Sequence, residues 1–77
     1  MMRVVKYTVV LRDPADSERL CAFFAEVHVR VLAVDGARIE VELQEVVSPL
    51  HAQRELSGYV VTWNALNPGA HAELTCG

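Results

Sequence analysis

Cysteine is scarce in this chain. Cys21 and Cys76 stand far apart and match no metal-ligand or redox spacing, so they read as reduced thiols of a cytoplasmic protein. Lysine is scarcer still, one among seven basic residues, and the formal net charge is −3. A mildly acidic domain has no general attraction for phosphate backbones. Arginine in place of lysine, with abundant Ala and Val, fits a GC-rich bacterial or phage genome. No apolar run approaches the roughly 18 residues of a membrane span. Lys6 interrupts the apolar N-terminal stretch, and Arg12-Asp13-Pro14 stands where a small-residue cleavage site would be. The stretch therefore reads as a strand and not as a signal peptide. Repeats, low-complexity tracts and linkers are also lacking. With 77 residues, 52% hydrophobic and 22% charged, the chain has the length for one domain and the composition of a globular one.

Hydrophobic periodicity then orders the elements. Residues 3–11 alternate, with Val5, Tyr7, Val9 and Leu11 on one face and Val4, Lys6, Thr8 and Val10 on the other, which predicts a strand. Valines on both faces predict a central one. Asp13-Pro14 opens a helix, since Asp is a good N-cap and Pro suits the first helical position. Leu20, Phe23, Phe24 and Val27 fall on one helical face. Ser48-Pro49 opens a second helix by the same logic, and Asn67-Pro68-Gly69 stops it. Ala52, Leu56, Tyr59, Val60, Trp63 and Leu66 form its apolar face. A strip of small residues, Ser57, Gly58 and Ala65 with Val61, is expected to receive the first helix. Residues 71–76 alternate again and predict a short last strand.

Between the helices lies a hairpin around Val34-Asp35-Gly36. The side-chain pattern favours a three-residue loop with Gly36 left-handed. That register pairs Ala33 with Ala37, Val31 with Ile39, Val29 with Val41 and Val27 with Leu43. On the other face it sets Arg30 against Glu40 and His28 against Glu42, both favourable cross-strand pairs.

The order strand, helix, strand, strand, helix, strand resembles the ferredoxin-like α+β arrangement, a four-stranded antiparallel sheet with two helices on one face. The resemblance spans residues 1–77 as one domain and is one of pattern, with no sequence family attached. It implies that the first strand lies beside the third and fourth, with the second outside the third. Fold pattern alone does not carry function. Domains of this type that bind RNA stack bases on sheet aromatics, whereas Lys6, Thr8, Val10, Arg38, Glu40 and Glu42 stand at those positions here. Metal-chaperone versions need Cys-x-x-Cys after the first strand, where this chain has Leu11-Arg12-Asp13-Pro14. Acylphosphatase-like versions need a glycine-rich phosphate cradle beside an arginine. Arg12 is present and the cradle is not.

Single residues add little chemistry. His28, His51 and His71 are scattered, so no metal site is expected. Cys21 reads as a small core residue, Cys76 as an incidental thiol, and Trp63 and Tyr59 as core. No carboxylate pair is placed for acid–base work, so no catalytic residue, cofactor or metal is assigned. The expected function is a small non-catalytic protein-interaction module, homodimerising or binding another protein. Neither nucleic acid nor membrane is an expected partner. The expected interface is the open sheet face, with His28, Arg30, Glu40 and Glu42 among Val4, Val10, Leu32 and Val34. Two alternatives remain: a small-molecule sensor resembling ACT domains in topology, and a small enzyme or enzyme subunit whose site forms between chains.

Overall fold

The computed structural model describes residues 4–44 and 49–75. Strand β1 (Val4–Leu11) leads through a 3-10 turn (Pro14–Asp16) into helix α1 (Ser17–Glu26). Strands β2 (Arg30–Asp35) and β3 (Arg38–Gln44) form the hairpin, and helix α2 (Pro49–Leu66) precedes β4 (Ala72–Thr75). The four strands make one antiparallel sheet in the order β2-β3-β1-β4. The chain is thus of the α+β class, with β1 between β3 and β4 and β2 outside β3. Arg3, Ser48, the cap expected from sequence, and Cys76 lie outside the described residues, as does the side chain of Val4.

One core holds the layers together. Tyr7, Val9 and Leu11 of β1 and Ile39, Val41 and Leu43 of β3 face inward, and Leu20 and Phe24 of α1 pack on them with Ala52, Leu56, Val60 and Trp63 of α2. Both helices therefore cover the same sheet face. Trp63 and Phe24 are the largest fully buried side chains, so aromatic burial is concentrated where α1 and α2 meet the sheet. Asp13 caps as its sequence position predicts. Its backbone is extended, and its Oδ1 accepts from the Ala15 N–H at 2.9 Å. The capped segment is the 3-10 turn, which runs on into α1.

Helix α1 ends in a Schellman motif. The His28 N–H donates to the Ala25 carbonyl at 3.4 Å, and the Val29 N–H donates to the Phe24 carbonyl at 2.9 Å. The accompanying apolar contact is supplied by Phe24 and Val29, both buried in the core. His28 occupies the left-handed position at φ 62°, alone among the described non-glycine residues. It is a turn residue and not, as expected, part of the second strand.

The hairpin register differs from the expected one. Asp35 pairs with Arg38 and Val34 with Ile39, so the loop is the two residues Gly36-Ala37. Gly36 is left-handed at φ 59°, and Ala37 is not. Glycine at the first loop position with positive φ is the type II′ pattern. The extra residue expected in the loop sits instead at Leu32, as a bulge between Val31 and Ala33. Without that bulge, Arg30 would face the buried Leu43. With it, Val31 meets Val41 and Arg30 meets Glu42. The expected pairs Val31–Ile39, Arg30–Glu40 and His28–Glu42 are all replaced. Both registers meet the same physical demand, that apolar residues share one face. Its solution lies in the strand and not in the turn.

Helix α2 also departs from expectation. Ala52, Leu56, Val60 and Trp63 are buried and Tyr59 is half-buried, but Leu66 is 68% exposed. The strip Ser57, Gly58, Val61 and Ala65 does not receive α1. It points to solvent on the side of the helix away from the core.

Candidate functional site

The sheet face away from the helices carries Lys6, Thr8 and Val10 from β1, Arg38, Glu40 and Glu42 from β3, and Glu73 and Thr75 from β4. Because of the bulge, Leu32 and Ala33 lie together on this face beside Glu40. Of the residues expected to form an interface, Arg30, Leu32, Glu40, Glu42 and Val10 do share it. Val34 does not. It pairs with buried Ile39 on the helix side, near the loop end of the hairpin, and is itself 49% exposed. His28 stands beyond the start of β2 in the helix-ending turn. The face holds two shallow depressions, either side of Glu40 and Thr8. Its only large exposed apolar side chain among the described residues is Leu32, 38% exposed. Charges interrupt it on every side, which suits a solvated surface.

The sheet edges are blunted. The bulge at Leu32 twists β2, and β4 has four residues. Both are ways in which edge strands avoid pairing with other chains.

The outer face of α2 is different. Leu50 is 59% exposed and Val61 is 65% exposed. Helical spacing aligns them with Arg54, Ser57, Gly58 and Ala65, since residues at i, i+4, i+7, i+8, i+11 and i+15 follow one stripe. A shallow groove of about 490 Å³ runs along it, between Leu50, Gln53, Arg54, Ser57, Gly58 and Val61. The solvent side of a surface helix is ordinarily polar, yet this stripe carries one charge. Gly58 adds a second anomaly. A Cβ built there meets nothing within 4 Å, so nothing in the fold of the chain itself asks for glycine at a mid-helix position where it is disfavoured.

Comparison with known protein families, curated proteins and solved structures found no match.

A polar cleft of about 560 Å³ opens where β2 begins and β3 ends, walled by the turn after α1 and by α2. Val27 and Leu43 line it with His28, Arg30, Glu42, Glu55 and Tyr59. The Tyr59 hydroxyl donates to Glu55 Oε1 at 3.1 Å. Partial burial, that hydrogen bond and the Glu55 charge all push the Tyr59 phenol above its ordinary pKa. The described residues hold no group of three His, Cys, Asp or Glu that could bind a metal ion. His71 contacts Glu73 at 3.1 Å on the exposed surface of the tail. Cys21 is half-buried at the edge of the core. Its thiol pKa is raised, mainly by burial and then by Glu18. No described helix is long and apolar enough to cross a membrane.

Sequence reasoning assigned the α2 stripe to an internal contact. The small residues stand out in the sequence, but the side they occupy depends on how α2 is rotated on the sheet. The available signal was the pair Leu50 and Val61, eleven residues apart and thus on one helical face, opposite the face centred on Leu56 and Trp63.

Proposed function

We propose that the chain is a ferredoxin-like domain serving as a non-catalytic protein-interaction module, and that it self-associates through the outer face of α2. The strand order with interleaved strand–helix–strand units supports the fold name. The observation that carries the function is the solvent-facing apolar stripe Leu50-Ser57-Gly58-Val61-Ala65. A second copy is the occupant the stripe fits. Its midpoint lies between Ser57 and Gly58, so an antiparallel two-fold pairing brings Leu50 against the partner's Ala65 and Ser57 against the partner's Gly58. Large then meets small at the ends, and the centre allows close backbone approach. Arg54 falls beside the partner's Val61, which its methylene stem can cover while the guanidinium stays in water. Such an isologous contact closes on itself. A chain with so small a core also gains stability from association.

Sedimentation equilibrium at micromolar concentration tests the reading on three proteins. Wild type is expected to be a dimer, Val61→Glu a folded monomer, and Leu32→Glu a dimer like wild type. A monomeric wild type at high concentration removes the proposal. Loss of the dimer in Leu32→Glu, with Val61→Glu still dimeric, transfers the interface to the open sheet face.

A further inference from the structure

We infer that Arg54 caps the C-terminal turn of the partner's α2, and that this contact sets the two helices antiparallel. The contact presupposes the self-association proposed for the outer face of α2. It rests on an unpaired cation and on a helix end with unpaired acceptors. Arg54 is exposed and makes no ion pair or side-chain hydrogen bond among the described residues. At the other end of the helix, the Asn67 N–H donates to the carbonyls of Trp63 at 3.0 Å and Asn64 at 3.3 Å, and Asn67 Nδ2 donates to Trp63 at 2.9 Å. The carbonyls of Ala65 and Leu66 receive no hydrogen bond among the described residues. Pro68 has no N–H to offer, and the Ala70 N–H donates to the Asn67 carbonyl. Arg12 donates to the Gly69 carbonyl, three residues past the helix. The last turn of α2 carries no basic residue, so the negative end of the helix dipole meets no cation of its own helix there.

Pairing about the Ser57–Gly58 midpoint sets Arg54 level with the partner's Val61. The partner's Ala65 lies four residues, or about 6 Å, further along, a length that an extended arginine spans. Direction decides the rest. Side chains on a helix lean toward its N-terminus, and in an antiparallel pair that is toward the partner's C-terminus. The Arg54 stem then covers the partner's Val61, and its fork presents several N–H donors to the carbonyls of the partner's last turn. Ala65 is exposed and has only a methyl group to stand in the way. A parallel pair would send the same guanidinium toward the partner's first turn, where the dipole is positive. The two-fold axis makes the contact twice.

The test is sedimentation equilibrium of the full chain at low and high KCl. Arg54→Met keeps an apolar stem and loses the charge. It is expected to raise the dimer dissociation constant about tenfold at low salt, summed over the two contacts, and the gap from wild type should close at high salt. Arg38→Met removes the same charge from the open sheet face and is expected to leave the dimer unchanged. Leu66→Lys, at a position 68% exposed and off the stripe, places a cation in the last turn of α2 itself. In that background Arg54→Met should cost less, since the helix end is already neutralised. An Arg54→Met dimer as tight as wild type overturns the inference and leaves the dimer standing. A loss matched by Arg38→Met assigns the effect to net charge, and a loss undiminished by Leu66→Lys assigns it to packing; either overturns the cap. A monomeric wild type removes self-association itself, and the contact with it.

Discussion

Asn64 clamps the backbone of Ala72 in both directions: its Nδ2 donates to the Ala72 carbonyl at 3.0 Å, and its Oδ1 accepts from the Ala72 N–H at 2.9 Å. Ala72 is the first residue of β4 and is buried. The clamp therefore ties the last turn of α2 to the start of a four-residue strand whose other edge is held by β1. A single amide side chain satisfies both polar groups of one residue, a task that otherwise falls to a neighbouring strand.

Asn64→Ala removes both bonds and leaves the Ala72 backbone groups part-buried without them. The expected cost is about 1–3 kcal/mol, read as a lower urea midpoint with an unchanged slope. Asn64→Asp keeps the acceptor but sets a carboxylate against the Ala72 carbonyl, so it should not restore stability. Full recovery in Asn64→Asp would show that only the bond from the Ala72 N–H matters.

The left-handed turn at His28 makes a prediction of opposite sign. Any residue with a Cβ is disfavoured there by roughly 1–2 kcal/mol, while glycine carries no such penalty. The Schellman bonds are made by backbone atoms and would be kept. His28→Gly should therefore raise stability by about 1 kcal/mol in thermal or urea unfolding, and His28→Val should lower it. A destabilised His28→Gly would mean that the imidazole contributes more to the folded chain than its backbone conformation costs.

The order and class of the elements were legible because their signals are local: alternation in β1, Asp13-Pro14 ahead of α1, Asn67-Pro68-Gly69 after α2. Burial of Trp63, Leu56, Leu20 and Phe24 was legible for the same reason, since helical period fixes which side chains travel together. What was not legible depends on non-local geometry. A bulge at Leu32 and a longer loop both supply one extra residue, and the β2 sequence alone does not decide between them. Val34 accordingly changed faces, and Arg30 changed partner from Glu40 to Glu42. The Asn64 clamp was invisible because it joins residues that meet only once the chain has turned at Pro68-Gly69.

Alkaline pH should weaken the fold. Cys21 and Tyr59 both have raised pKa values, chiefly through burial and then through Glu18 and Glu55 respectively. In each case the folded chain holds its proton after the unfolded chain has released it. The stability these groups contribute is intact below their unfolded values and is lost as pH rises through the folded ones. The window thus opens at roughly pH 8.5 for the thiol and about 10 for the phenol. Urea midpoints measured upward from neutral pH should fall across it, and Cys21→Ser with Tyr59→Phe should flatten the fall. A slope unchanged in the double variant would assign the loss to other groups.

Gly58 separates folding from association. Within the chain, a methyl group at this position has open space, and alanine is favoured over glycine in a helix interior by about 1 kcal/mol. Gly58→Ala should therefore raise the stability of the isolated domain, measured in dilute solution where association is negligible. If two α2 helices approach across Ser57 and Gly58, the same methyl group intrudes where the partner's backbone would lie. Dimer dissociation should then become easier, by about tenfold for a cost of ~1.4 kcal/mol. One substitution is thus expected to strengthen the fold and weaken the pair, and Leu50→Ala supplies the control that weakens the pair without changing the helix backbone. Gly58→Ala that strengthens both would place the partner somewhere other than this stripe.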